Sequence, residues 1–286
     1  DIYNEIIPIG IRNRRNIKDS KLSDSEIITI SIVGELLTID SEKSFFSLLK
    51  REYKELFPRL GDRTRFNRTK RNLHLVISKI RGYISEFMQL YSNNVRVIDS
   101  MPIPVCEFGR SHFSKCFKGE ASYGICASKK ETYFGFKFHA LTTVDGFLTD
   151  YVITPANIDD RNAVWDLCDK YRSISIIGDK GYINKRLTPE LKSERDIDLL
   201  FLKRANSRDN YPKEVRQLLF KVRRRIETSF SQLTEQLNLN KVKSKSMLGF
   251  ITRTSIKVLA HNISFLINKL MRNDDSMAKI KRLVFG

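Results

Sequence analysis

Apolar residues recur at helical spacing through the first 90 or so residues of the chain. The stretch 21–39 opens with Ser23 and Asp24, either of which can cap a helix, and Glu26 follows Ser23 by three positions, as in a capping box. The N-terminal third is therefore predicted to be all-helical. A further helix is predicted over 41–57, and one or two more are predicted over 62–91.

From residue 95 the pattern changes to short, β-branched segments, and Asp145-Gly146 is a strong hairpin signal between two of them. Helical and strand patterns then alternate before two long helices fill the end of the chain. This order predicts an α/β fold with a mixed sheet. Strands are predicted at 95–100, 133–144, 146–154, 173–179 and 197–203, and helices at 161–171, 188–195, 212–237 and 249–272.

The charge balance narrows the possible partners. The chain has 51 Lys and Arg against 33 Asp and Glu, a net charge of +18, and nucleic acid is the first partner that such a charge indicates. An anionic membrane surface would require a basic amphipathic helix or a lipid anchor, and the sequence has no convincing example of either. No apolar run is long enough to span a membrane, and the start at Asp1 does not resemble a signal peptide. Four cysteines fit a reducing cytoplasm.

Two aspartates directly follow apolar strand patterns: Asp99 ends "VRVID" and Asp179 ends "SIIGD". Ligands of open α/β sheets collect at the carboxyl ends of strands, so both carboxylates are expected at one crevice. Each alone is most simply a cap or turn residue. The pair weakens that interpretation, because an Asp beside buried strands is costly unless it is paired, capped or metal-bound.

Glu227 supplies a third carboxylate on the helix predicted over 212–237. It lies about 100° round the helix from Ile226 and so flanks the apolar stripe. A surface ion pair with Arg223 or Arg224 is an adequate alternative explanation. The buried stripe is predicted to contain Val215, Leu218, Leu219, Val222, Ile226, Phe230 and Leu233.

Phosphodiester chemistry explains why three carboxylates would be needed. One metal ion activates the attacking oxygen and a second, about 4 Å away, stabilises the leaving oxygen. Mg²⁺ prefers carboxylate oxygen, and one acid must bridge both ions. An aspartyl nucleophile of the phosphatase type would need an Asp two residues after Asp99, where this chain has Met101.

These residues resemble the DDE transposases of small prokaryotic insertion sequences, which have a ribonuclease H-like catalytic domain. The resemblance is carried by "VIDS", "IIGDKGY", "RRRIETSFSQL", "GFKFHALTTVDGF" and "TPANIDDRNA", and it covers about 95–270 well. It implies that Asp99, Asp179 and Glu227 are the catalytic residues and hold two Mg²⁺ or Mn²⁺ ions. It also implies double-stranded DNA partners (transposon ends and target DNA), a homodimer on paired ends, and a cytoplasmic, nucleoid-associated location. No nucleotide cofactor is expected, because the sequence has no G-x-x-x-x-G-K-[ST] loop.

Many members of that family carry a Tyr, an Arg and a Lys around the Glu. Here the corresponding positions are Phe220, Arg223, Glu227 and Thr234, so a Tyr or Lys role is not carried over. Near the site, the candidates for phosphate contacts are Lys180, Arg223 and Arg224. The alternative for these residues is generic surface charge.

Two basic stretches are expected to contact DNA elsewhere. Residues 59–81 hold eight Lys or Arg and one Asp, and a solvated helix face is the alternative to DNA binding there. The long stretch 102–131 supplies Arg110 and Lys118. Its Cys106, His112, Cys116 and Cys126 lack the paired spacing of a zinc site, so ordinary cysteines are the better interpretation. The contacts predicted in the first stretch are Arg63, Arg65, Arg68, Lys70 and Arg71.

The sequence thus predicts a ribonuclease H-like mixed sheet flanked by helices and preceded by an all-α region. The expected activity is binding of terminal inverted repeats, metal-dependent hydrolysis at the transposon end, and strand transfer. There are two alternatives: a nuclease of the same fold without strand transfer, and a non-catalytic DNA-binding protein. The expected parts are a DNA-binding domain at 1–92, a catalytic domain at 93–275 with an inserted loop at 102–131, and a tail at 276–286.

Overall fold

A computed structural model gives the fold of the chain. Its secondary structure comprises six strands and ten α-helices among the described residues. The structure describes residues 2–14, 17, 20–90, 93–126, 130–182 (of Lys180 the backbone alone), 184, 186–202, 211–271 and 278–280. The helices are α1 (Ile2–Ile6), α2 (Ile9–Arg12), α3 (Asp24–Leu36), α4 (Glu42–Glu52), α5 (Arg63–Asn72), α6 (His74–Gln89), α7 (Asn162–Cys168), α8 (Leu187–Arg195), α9 (Lys213–Ser231) and α10 (Met247–Leu270), and the strands are β1 (Val95–Pro104), β2 (Ser122–Cys126), β3 (Glu131–Thr143), β4 (Leu148–Pro155), β5 (Ser175–Gly178) and β6 (Asp198–Phe201).

The strands form one mixed sheet in the order β2-β3-β1-β5-β6, with β4 also paired to β3. The pairs β1–β3 and β3–β4 are antiparallel, whereas β5 is parallel to both β1 and β6. The turn between β3 and β4 contains Gly146 at φ +93, a conformation that glycine adopts without strain. The α/β order and the hairpin at Asp145-Gly146 are as predicted, and the fold has the predicted ribonuclease H-like arrangement of a mixed sheet between helices.

Helices cover both faces of this sheet. On one face, α7 and α8 bury Leu167 and Leu191 against Ile98 of β1 and Ile176 of β5. On the other face, α9 and α10 pack against β1 and β3 in a larger core that also includes residues of α3, α4, α5 and α6. Side chains therefore alternate along β1 between two separate hydrophobic layers, as the two-residue period of a strand requires.

Local signals explain where several elements begin. The side chain of Ser23 accepts a hydrogen bond from the Glu26 amide, and Glu26 reaches back to the Ser23 amide, so the predicted capping box is present. The side chains of Asp62 and Ser246 accept hydrogen bonds from the amides of Arg65 and Gly249 and so cap α5 and α10. No helix among the described residues is long and apolar enough to cross a membrane.

The structure corrects the sequence analysis in two places. The stretch 102–131 is not one loop, because β1 continues to Pro104, a 3-10 turn follows at Phe108–Arg110, and Ser122–Cys126 adds strand β2 beside β3. The predicted apolar stripe of α9 was also too long. Val215 and Leu218 are 39% and 60% exposed, since α9 contacts β1 and β5 only further along its length.

The N-terminal helices are joined to α10 by a buried group of charges, here called the α3–α10 cluster. Lys257 donates to Glu35 and to the carbonyl of Leu237, and Arg253 Nε lies 3.2 Å from Glu35 Oε1. Arg253 also donates to the Asp40 carbonyl over 3.0 Å. Two cations and two carboxylates (Lys257, Arg253, Glu35 and Asp40) thus compensate one another between the predicted DNA-binding and catalytic regions.

Candidate active site

The register of the sheet brings Asp99 and Asp179 together. Val97 of β1 is the parallel partner of Ile177 of β5, and each aspartate follows two residues later on its own chain segment. Residues two apart in a strand point to the same face. Both carboxylates therefore lie on the face covered by α9, just beyond the last parallel pair of β1 and β5. Asp179 directly follows β5, as predicted, whereas Asp99 does not end its strand, because β1 continues to Pro104 beside β3.

The close packing of β5 depends on a small residue before the second aspartate. A Cβ added to Gly178 would lie 2.9 Å from Ile98 Cγ2, closer than real Cβ contacts allow. Gly178 thus lets β5 approach β1 and the ring of Tyr182, which is buried. The glycine before Asp179 serves packing between the strands.

Glu227 reaches the same place from α9. The buried side of this helix is anchored by Leu219, Ile226 and Phe230, and Ile226 is completely buried. Glu227 comes one residue after Ile226, so its carboxylate projects from the edge of the packed face. It remains 53% exposed on its side chain and faces the strand ends from the open side.

One guanidinium contacts all three carboxylates. Arg223 Nη2 lies 3.4 Å from Asp99 Oδ2, 3.6 Å from Glu227 Oε1 and 3.8 Å from Asp179 Oδ2. We call Asp99, Asp179, Glu227 and Arg223 the carboxylate site. The ion pair between Arg223 and Glu227 suggested by their spacing is present, and the same arginine also contacts both aspartates.

Burial differs across the carboxylate site. The side chain of Asp99 is 18% exposed and that of Asp179 is 38% exposed. Burial raises the pKa of Asp99 to about 6, opposed by the hydrogen bond from the Ser100 amide and by the positive charge of Arg223. A partly desolvated carboxylate is stabilised in its charged form by any further cation placed beside it.

The donor chemistry of the site suits a divalent metal ion. Within the part of the chain that the structure describes, no three acidic, histidine or cysteine side chains lie close enough together to hold a metal as they stand. However, three carboxylate oxygens surround a single cationic nitrogen of Arg223 within 3.8 Å. Carboxylate oxygens are the ligands that Mg²⁺ prefers, and the arginine holds a positive charge where they meet.

A polar network that the sequence analysis missed supports β1 from the opposite face. Ser100 donates to Asp160 Oδ2 over 3.1 Å, and Lys137 Nζ donates to Asp160 Oδ1 over 2.7 Å and to the Ile158 carbonyl over 2.8 Å. Asp160 thereby ties the turn after β4 to both β1 and β3 directly behind Asp99. The sequence contains a signal for this network. Asp160 lies in "TPANIDDRNA", and Lys137 alternates with the buried aromatic residues of β3.

His139 belongs to the same face of β3. Its side chain is fully buried, its Nε2 lies 2.9 Å from Thr154 Oγ1, and burial lowers its pKa to about 4. The second ring nitrogen, Nδ1, has no hydrogen-bond partner among the described residues and lies 3.9 Å from Asp160 Oδ1.

The predicted DNA contacts lie in different environments. Arg63, Arg68 and Arg71 are exposed on α5, Arg65 is also exposed, and Lys70 is ion-paired with Glu42 of α4. Arg110 and Lys118 are exposed in the segment between β1 and β2, and Arg224 is exposed on α9. The side chain of Lys180 lies outside the described residues. The exposed members are open to solvent, whereas Lys70 helps to join α4 to α5.

Within the described part of the chain, the cysteines belong to no group of three or more His, Cys, Asp or Glu side chains that could hold a metal ion. Cys106, Cys116 and Cys126 are partly buried, and Cys168, the last residue of α7, is buried in the hydrophobic layer that contains Ile176 of β5. His112 packs its ring against Tyr123, with centroids 5.8 Å apart.

Comparisons with known proteins identify the class. The transposase DDE domain family matches residues 90–247, more than half of the chain, and the chain belongs to this family. It is therefore a DDE transposase by family. Among solved structures it is similar to a piggyBac transposase synaptic complex with hairpin DNA, at 11% identity and a TM-score of 0.45, over 98% of this chain and 77% of that one. No curated protein matches the chain.

Proposed function

We propose that this chain cuts DNA at the ends of its transposon and joins the freed ends to target DNA. The observation that carries the proposal is the convergence of Asp99, Asp179 and Glu227 on one cationic nitrogen, from positions up to 128 residues apart in the chain. The match to the transposase DDE domain supports it. In this proposal, the three carboxylates are the catalytic residues and the ligands of two Mg²⁺ or Mn²⁺ ions.

The chain's own residues would prepare the site for a phosphate. Bound by the three carboxylates, the metal would supply Lewis-acid chemistry to the attacking and leaving oxygens. Asp99 is fixed by the Ser100 amide over 2.8 Å, and Ser100 is in turn fixed by Asp160. The strand geometry holds Asp179 beside it, while the more exposed Glu227 faces the side from which DNA approaches. Positioning of this kind supports catalysis because reacting groups are held before the substrate arrives.

The exposed arginines are proposed to hold the DNA. Arg63, Arg65, Arg68 and Arg71 are presented together by α5, and Lys70 is retained as a candidate despite its pairing with Glu42. Phosphate contacts of this type position the duplex without reading its sequence. Near the site, Lys180, Arg110, Lys118, Arg223 and Arg224 are proposed as further contacts. A helical DNA-binding region at 1–92, a catalytic region at 93–275 and a homodimer on paired ends remain part of the proposal.

The function is tested with a labelled duplex made from the inverted repeats that flank the gene, together with an unlabelled target plasmid. The expected result is Mg²⁺-dependent cleavage at the repeat end, followed by labelled product covalently joined to the plasmid. Cleavage without joined product would instead identify the nuclease without strand transfer. Tight binding with no cleavage in Mg²⁺ or Mn²⁺ would contradict an enzymatic function.

A further inference from the structure

The guanidinium of Arg223 holds the central position among three carboxylates that belong to separate parts of the fold. Asp99 lies in β1, Asp179 follows β5, and Glu227 lies one helical turn after Arg223 on α9. All three contacts, at 3.4, 3.8 and 3.6 Å, are made by the same nitrogen, Nη2. A positive charge at this point therefore reduces the repulsion among all three carboxylates at once.

The contacts of Arg223 are long for ion pairs. Charge-assisted hydrogen bonds between nitrogen and carboxylate are usually about 2.7–2.9 Å long, and the shortest contact here is 3.4 Å. The buried Nε of Arg223 has no hydrogen-bond partner among the described residues. The guanidinium thus holds its place by net charge more than by directed hydrogen bonds. A cation held in this way is replaceable by another cation.

The side chain of Arg223 also has access to solvent. Its side chain is 21% exposed, and it lies next to the exposed Arg224 on the face of α9 that carries Glu227. Arginine binds phosphate through two parallel N–H donors, a geometry that carboxylate contacts through one nitrogen leave unused. A small rotation of the side chain toward solvent would present those donors to a DNA phosphate.

We propose that Arg223 occupies the shared position among Asp99, Asp179 and Glu227 in the metal-free protein, and that an entering divalent cation displaces its guanidinium onto a DNA phosphate. The inference rests on the proposed function, since it takes the three carboxylates as metal ligands. Metal and DNA then bind cooperatively, because DNA stabilises the displaced position of the arginine. By linkage, metal must tighten DNA binding by the same factor.

Calorimetric titration with Ca²⁺ tests this exchange without relying on turnover. We expect Arg223→Gln to bind Ca²⁺ at least about fivefold more tightly than the wild type in the absence of DNA, because the competing charge is gone. Added end DNA should tighten Ca²⁺ binding by the wild type and have a smaller effect on Arg223→Gln. Arg223→Lys, which keeps the charge, should fall between them. The matched control is Arg225→Gln, an exposed arginine two residues away, which should bind as the wild type does.

The outcomes separate this inference from the proposed function. Equal or weaker Ca²⁺ binding by Arg223→Gln, while the wild type still cuts end DNA with Mg²⁺, would overturn the exchange and leave the function standing. Equal tightening by DNA in the wild type and in Arg223→Gln would also overturn it. Absence of Ca²⁺ binding in all variants, with or without DNA, together with no cleavage by the wild type, would overturn both.

Discussion

Two groups of charges in this protein differ in how completely they are compensated. In the α3–α10 cluster, two cations meet two carboxylates, and Lys257 is fully buried with Glu35 and a backbone carbonyl as partners. In the carboxylate site, one guanidinium is shared among three carboxylates at 3.4–3.8 Å, and Glu227 is half exposed. The first group is closed and joins two parts of the fold. The second is partly open and has more carboxylates than cations, which is the property that the proposed metal site needs.

The largest difference between the two groups should be seen in catalysis. Asp99→Asn, Asp179→Asn and Glu227→Gln each remove one carboxylate charge with little change in shape. We expect each to lower the rate of end cleavage by about a thousandfold or more, because metal catalysis contributes several kcal/mol. DNA binding, measured by gel shift, should persist. Asp40→Asn in the α3–α10 cluster is the control and should cleave at near the wild-type rate once its folding is verified.

For the stability of the fold, the larger effect should come from the α3–α10 cluster. Lys257→Met leaves Glu35 buried with a lost partner, and breaking a buried ion pair typically costs about 3–5 kcal/mol. Urea unfolding should therefore show a large decrease in the free energy of unfolding, and Mg²⁺ should not restore it. A loss below about 1 kcal/mol would mean that the α3–α10 cluster does not hold the N-terminal helices to α10.

Acid should weaken the region around α10 through a histidine. Burial lowers the pKa of His261 to about 4, from an ordinary value of 6.5, and the side chain is completely buried. The unfolded chain binds more protons than the folded one between pH 6.5 and 4, so stability should fall as the pH decreases through this window, by up to about 3 kcal/mol from this group.

The comparison between the wild type and His261→Gln isolates that contribution. Buried His139 has a similarly lowered pKa and remains in both proteins, so it cancels in the difference. The variant should lose less stability than the wild type between pH 6.5 and 4 in urea unfolding at each pH. Parallel curves for the two proteins would assign the acid sensitivity elsewhere.

The smallest predicted effects concern the exposed basic face of α5, a third kind of charged region. Arg63→Ala, Arg68→Ala and Arg71→Ala should each weaken DNA binding similarly for all sequences. Each should also reduce the slope of log affinity against log salt by about 1. Arg51→Ala, an exposed arginine paired with Glu52 on the neighbouring α4, is the control. An unchanged slope in the three α5 variants would remove this helix from the DNA interface.

The sequence predicted those parts of the molecule that are set by local patterns. Apolar strand patterns located Asp99 and Asp179, although β1 continues past Asp99 to Pro104, and helical periodicity located Glu227 beside Ile226. Contacts across the fold were harder to predict. Arg223 was recognised as a neighbour of Glu227, but its contact with Asp99, 124 residues away, depends on the docking of α9 against β1. Strand β2 was not predicted, because the segment that connects β1 to it is largely irregular.

The most direct test of the account is whether a metal ion distinguishes the two groups of charges. Mn²⁺ binding to the wild type, Asp99→Asn and Asp40→Asn can be measured through the electron paramagnetic resonance signal of the free ion. The wild type and Asp40→Asn should bind Mn²⁺ with similar affinity, and Asp99→Asn should lose this binding. Undiminished binding by Asp99→Asn, or an equal loss in both variants, would contradict the assignment of the carboxylate site as the metal site.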